Sequence, residues 1–285
     1  MKLGRFIDGK GNIHWGREQA DGAVTLAEGS IETGFSDTGS PLPVTKRLAP
    51  VMPAAILAIG LNYRQHAAET GAAIPDSPVL FMKNPAALCH PEDPIALPPC
   101  CMRPPQVDSE VELAVVIGQA ARNVSAERAL DFVLGYTVGN DVSARRWQKT
   151  GSGGQWVRGK SFDTFCPLGP VIVTTDDLPD PADLGLTSML NGDTMQTGRT
   201  SDMIFPVPEL IARLSEGMTL LPGTVLLTGT PPGVGVARTP PVFLQDGDLL
   251  EMTIERIGTL RNPVLAETPG RGRATSEDLW GAVAS

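Results

Sequence analysis

The chain has 285 residues, 41% of them hydrophobic and 19% charged, which is enough apolar surface to bury a core without a disulfide or metal staple. Lys and Arg number 23 against 32 Asp and Glu, a formal net charge of −9. That is the wrong sign for counterion release from nucleic acid or for docking on an anionic bilayer, so neither is expected as a partner. With 31 glycines and 26 prolines the composition favours strands and turns over long helices.

The N-terminal MKLGRFIDGKGNIHWG places charges and glycines where a signal peptide needs an apolar stretch. No apolar run approaches the roughly 18 residues of a membrane span. Cys89, Cys100, Cys101 and Cys166 match neither a C-x-x-C pair nor a secreted disulfide framework, so reduced thiols and a cytoplasmic location are expected.

From Lys2 to about Ile31, short apolar pieces broken by DGKGN and QADGA predict an antiparallel N-terminal unit. The stretch from Gly34 to Pro53 reads as a connector. Residues 1–50 are therefore set apart from a main domain over 51–263. In that domain AAILAIGLNY has strand length and RQHAAET predicts a short helix ending at Gly71. The six prolines of residues 91–107 exclude a regular interior element and leave a loop or an edge.

VELAVVIG predicts a buried strand, SAERALDFVLG a helix with Ser125 as N-cap, and YTVGND a strand end. PVPELIARLSEGM predicts a further helix, and GTVLLTGT and DLLEMTIERIG two strands. Residues 264–285 read as a tail with one apolar anchor, EDLWGAV.

In VDSEVELAVVIG the period of two sends Glu110 and Glu112 to one strand face and Val111 and Leu113 to the other. Two adjacent carboxylates are costly unless a cation or solvent separates them. Asp141 closes the strand YTVGND and supplies a third carboxylate. An all-oxygen set suits magnesium, manganese or calcium over zinc. On spacing alone the pair fits a solvent-facing strand edge equally well.

His66 and Glu69 are i and i+3 on the short helix, so the carboxylate can fix the imidazole and leave its other nitrogen as a base. An incidental surface pair has the same spacing. Arg145, Arg146, Gln148 and Lys160 follow Asp141 within twenty residues. They suit an acidic substrate such as a keto-carboxylate, or form an exposed helical turn. The run from Gly154 to Ser161 satisfies the Walker A pattern, but no apolar strand precedes it and no helix pattern follows, so nucleotide binding is not expected.

In order, GLNYxxHxxE, DxEVELAVVIG, GYTVGNDVSARxWQ, GKSFDTFCPLGP, QxGxTxxMIF and LLTGTPPGVG resemble the fumarylacetoacetate hydrolase family from about residue 55 to 262. The resemblance implies an α+β, β-rich mixed β-sandwich roll with a small N-terminal β unit, and a homodimer. It also implies one magnesium or manganese ion on Glu110, Glu112 and Asp141.

Family members act on 2-keto and 2,4-diketo acids by hydrolysis, decarboxylation or isomerisation, so a small keto acid is the expected partner. The favoured expectation is hydrolysis of an acylpyruvate. In it His66 and Glu69 activate water, Lys160 and Arg145 add positive charge, Gln148 gives a hydrogen bond, and Tyr63 and Thr230 touch substrate. An oxaloacetate-type decarboxylase, a keto-diacid isomerase and a catalytically silent metal-binding member are the alternatives.

Overall fold

A computed structural model describes residues 1–267. Strand accounts for 41% of the chain and helix for 16%, so the fold is β-rich α+β, built on a curled half-barrel sheet. The main sheet has twelve strands. Its path runs from Gly34–Pro41 through Val24–Ser30, Ile13–Glu18, Lys2–Ile7, Cys166–Thr174, Val133–Asn140, Val111–Ile117, Val225–Leu227 and Ile56–Gly60 to Val79–Lys83. A second sheet of five strands packs behind it. No helix among the described residues is long and apolar enough to cross a membrane.

Lys2–Ile7 pairs with Cys166–Thr174, so the N-terminal strands continue the main sheet. The expected connector is largely strand: Gly34–Pro41 pairs with Val24–Ser30, and Lys46–Leu48 with Lys2–Ile7. Ladder hydrogen bonds there override the loop-like composition.

Ser125 is also not the cap of an α-helix. Ala126–Phe132 is a 3-10 helix without a side-chain cap bond, and Val133 already opens the next strand. The β-branched and aromatic residues of VLGYTV are more valuable in the ladder against Val111–Ile117 than in a helix. The Pro-rich stretch holds an edge strand, Ile95–Leu97, parallel to the end of Gly258–Ala266. That last strand takes up the first residues of the expected tail, whose apolar anchor EDLWGAV lies outside the described residues.

Register positions the site. Val111 faces Asn140 and Glu112 faces Gly139, so Glu110 and Asp141 lie opposite each other just past the ladder, with the Asp141 N–H donating to the Glu110 carbonyl at 2.9 Å. A Cβ on Gly139 would stand 2.5 Å from Leu227 Cδ2, so a larger residue beside Glu112 would require the Leu227 side chain to move. Val111–Ile117 is buried along its whole length, on both faces.

The helix Arg64–Glu69 follows Ile56–Gly60 after a turn at Leu61, whose φ is +53°. Asn62 fixes that turn: its amide donates to the carbonyls of Phe205 at 3.0 Å and Thr228 at 2.8 Å and accepts from the Phe205 N–H at 2.8 Å. Gly71, at φ +65°, ends the helix in the left-handed conformation that favours glycine. Val207–Ser215 is the amphipathic helix its sequence predicts, burying Val207, Leu210, Ile211 and Leu214.

Candidate active site

A cavity of about 250 Å³ opens over the end of the central strands. Its wall includes His66, Glu110, Glu112, Asp141, Arg145, Gln148, Lys160 and Thr230. Eight of the ten residues given a role in the sequence therefore meet in one place, although they span 165 positions of chain.

The floor is carboxylate. Glu110, Glu112 and Asp141 are buried, and one oxygen from each lies within 4.8 Å of the others. Lys160 Nζ bridges Glu110 Oε2 at 2.7 Å and Asp141 Oδ2 at 2.5 Å. Arg145 Nη1 pairs with Glu110 Oε1 at 2.7 Å. Burial works against ionisation of Glu110, but Lys160 and Arg145 outweigh it and hold this carboxyl well below the usual range. Burial likewise opposes charge on Lys160, and Asp141 with Glu110 reverse that effect and raise it.

Glu112 differs. Its Oε2 accepts from the Gly229 N–H at 2.7 Å, and among the described residues it has no ion-pair partner. Burial first, then Asp141 and Glu110, push its carboxyl well above the ordinary value. A buried carboxylate between two others with no cation of its own is a position that a divalent ion would satisfy, and the all-oxygen donor set fits a hard metal.

Two floor residues escape sequence reasoning. Asp108 Oδ2 accepts from Arg145 Nη2 at 2.6 Å and Nε at 2.9 Å, while its other oxygen takes the Gly235 N–H at 2.9 Å. Lys83 Nζ reaches Asp141 Oδ1 at 2.5 Å and the Val142 carbonyl at 3.2 Å. Signals existed for both. Asp108 continues the period of two through Glu110 and Glu112, and Lys83 shares the inward phase of Phe81 while Leu80 and Met82 face outward. With Glu112 ionised, as a bound cation would favour, Asp108, Glu110, Glu112 and Asp141 oppose Lys83, Arg145 and Lys160, leaving one negative charge that a divalent ion would convert to a positive one.

The rim carries the histidine. His66 Nδ1 lies 3.1 Å from Glu69 Oε2, and because a carboxylate only accepts, Nδ1 is the donor of this pair and Nε2 is the ring nitrogen left for a ligand. Glu69 Oε1 accepts from the Gly233 N–H at 2.8 Å, tying the dyad to the TGTPPGVG loop. Across the cavity Phe81 and Trp156 meet edge to face with centroids 5.3 Å apart, and Lys160 Nζ lies 5.0 Å from the Phe81 ring centroid.

Two expected substrate contacts need correction. Tyr63 is fully buried at the start of the helix, off the cavity wall, and its hydroxyl has no partner among the described residues. Thr230 lines the cavity, but its hydroxyl proton goes to the Val111 carbonyl at 2.9 Å and its oxygen accepts from Gln196 Nε2 at 2.7 Å. With its one donor committed, the side chain braces the loop instead of donating to a substrate. Arg145–Lys149 is a helix with Arg145 and Gln148 buried, not an exposed turn. Gly154–Ser161 holds only the four-residue helix Val157–Lys160 and follows no strand, so the Walker A match is empty.

Comparison with known proteins bears on this site. The Xenopus laevis protein named "Oxaloacetate tautomerase fahd2, mitochondrial" is 45% identical over 248 residues, covering 85% of this chain and 77% of that protein. A solved structure named 5-carboxymethyl-2-hydroxymuconate delta-isomerase, from Mycobacterium smegmatis, is 40% identical with a TM-score of 0.82, covering 94% of this chain and all of that one. A fumarylacetoacetate hydrolase from psychrophilic Exiguobacterium antarcticum is 39% identical with a TM-score of 0.83, at 94% and 100% coverage. The model for the fumarylacetoacetate hydrolase C-terminal domain matches residues 55–265. Sequence, fold and relatives agree that the chain belongs to the fumarylacetoacetate hydrolase family of enzymes.

Proposed function

We propose that this protein is a divalent-metal-dependent enzyme that moves a proton between carbon and oxygen of a 2-keto acid, as a tautomerase or isomerase does. The observation that carries the reading is a carboxylate-held histidine facing the same cavity as a three-carboxylate cluster. Relatives named oxaloacetate tautomerase and muconate isomerase support it, and both names describe proton transfer without loss of carbon.

The chain's own groups divide the work. His66 Nε2 takes the C3 proton; the C3–H electron pair becomes the C2–C3 double bond as the C2 carbonyl pair moves onto oxygen, which then takes a proton from solvent while His66 releases its own to solvent. Glu69 holds the imidazole in the tautomer that accepts this proton. The Lys160 ammonium, fixed by Glu110 and Asp141, donates a hydrogen bond to the 2-oxygen. Arg145 and Gln148 receive the C1 carboxylate. Magnesium or manganese on Glu110, Glu112 and Asp141 supplies a Lewis acid.

Hydrolysis of an acylpyruvate is the second reading, supported by the Exiguobacterium antarcticum enzyme and by the ability of the same dyad to activate water. Proton transfer asks less of the site, because it needs no water held against a C4 carbonyl. A stopped-flow assay of enol-oxaloacetate, with magnesium and after chelation, tests the first reading: metal-dependent loss of enol absorbance without pyruvate supports it. Pyruvate plus a carboxylic acid from acylpyruvates, with no tautomerase activity, would replace it by hydrolysis. The working form is proposed to be a homodimer, which sedimentation of the purified chain checks.

A further inference from the structure

The helix Arg145–Lys149 presents Arg145, Gln148 and Lys149 to the cavity, positions i, i+3 and i+4 on one helical face. Arg145 lies at the buried end, paired with Asp108 and Glu110. Lys149 is exposed, about 6 Å further along the helix axis at a rise of about 1.5 Å per residue. Three side chains of permanent positive charge line this cavity: Arg145, Lys149 and Lys160. Arg145 and Lys160 are neutralised by floor carboxylates, whereas Lys149 has no ion-pair partner among the described residues. Ile59, Phe81, Trp156, Val234 and Val236 make up the mostly apolar wall and offer no positive charge to a second anionic group.

Resting on the keto-acid reading above, we infer that Lys149 is the specificity-determining residue for a dicarboxylic substrate. The C1 carboxylate and 2-oxygen go to the floor, the intervening carbons lie along the apolar wall, and the distal carboxylate pairs with the Lys149 ammonium at the mouth. One helical turn between Arg145 and Lys149 matches a ligand whose two carboxylates are separated by a few carbon atoms.

The test uses ligands that differ only at the far end: 2-oxoadipate against 2-oxohexanoate, and 2-oxoglutarate against 2-oxopentanoate, titrated calorimetrically into the magnesium-loaded protein. In at least one pair the diacid should bind about three- to fivefold more tightly, the gain typical of a partly exposed ion pair. In Lys149→Met that ratio should fall to near one, and in Lys149→Arg it should persist, with melting temperatures unchanged in both. A wild-type ratio of one, or a ratio that survives Lys149→Met, overturns the assignment of Lys149 while leaving the keto-acid site standing. Failure of all four compounds to bind the wild-type protein overturns the keto-acid reading and the Lys149 inference with it.

Discussion

The floor and the rim of the cavity are built on different physical terms. On the floor, ladder register sets Glu110 against Asp141, and buried cations lock the carboxylates from several sides. At the rim, a six-residue helix carries His66 and Glu69, and the dyad is tied to its neighbouring loop by one backbone donor from Gly233. Charge on the floor is a structural commitment, because each buried group depends on its partners. At the rim, charge and proton can change without disturbing the sheet. Lewis acidity and substrate anchoring belong where geometry is rigid, and proton transfer belongs on a side chain held outside the sheet.

The largest expected effect comes from breaking the floor. Asp141→Ala leaves Lys83 buried without its carboxylate and Lys160 with only Glu110, so stability should fall by about 3–5 kcal/mol in urea titrations. Magnesium binding should be lost as well. An Asp141→Ala protein as stable as wild type would mean that the floor is not interlocked. Glu112→Gln is gentler, since Glu112 has no ion-pair partner among the described residues and the amide oxygen can still accept from Gly229. It should fold normally yet lose magnesium-stimulated turnover by about a hundredfold or more, several kcal/mol of Lewis-acid stabilisation.

Breaking the rim should cost rate and spare the fold. His66→Ala is expected to lower turnover by about 10²–10⁴ with magnesium affinity and melting temperature retained. If metal affinity fell in parallel, the floor and rim would not be separable.

A control lies outside both regions. Burial lowers the buried imidazole of His90 from 6.5 to about 4, and its Nδ1 accepts from the Ala49 N–H at 3.1 Å. Because the folded-state value is depressed, the unfolded chain binds the proton first as pH falls below about 6.5, and stability drops. Between pH 7 and 5 this amounts to about 2 kcal/mol, which His90→Asn should remove while keeping an acceptor for Ala49. An unchanged acid slope in the variant would place the titration elsewhere.

Much of the site was legible in the sequence because strand and helix periods are local. Period two put Glu110 and Glu112 on one face, and i,i+3 spacing joined His66 to Glu69. What was missed depends on pairing across the sheet. Lys83 finds Asp141 through strand order, and Asp108 finds Arg145 across 37 residues of chain. The hydroxyl partners of Tyr63 and Thr230 were out of reach for a related reason: they are set by tertiary packing, which leaves Tyr63 without one among the described residues and gives Thr230's proton to Val111. The connector reading of residues 34–53 failed because composition cannot register a ladder that closes only when Gly34–Pro41 meets Val24–Ser30.

The central claim is proton transfer at C3 of a keto acid, and hydrogen exchange measures it most directly. Oxaloacetate is incubated in heavy water with the magnesium-loaded protein and followed by proton NMR. The account predicts that C3 deuterium incorporation accelerates well above the metal-only rate, outpaces pyruvate formation and disappears in His66→Ala. Pyruvate appearing as fast as the exchange, or exchange unchanged in His66→Ala, would contradict it.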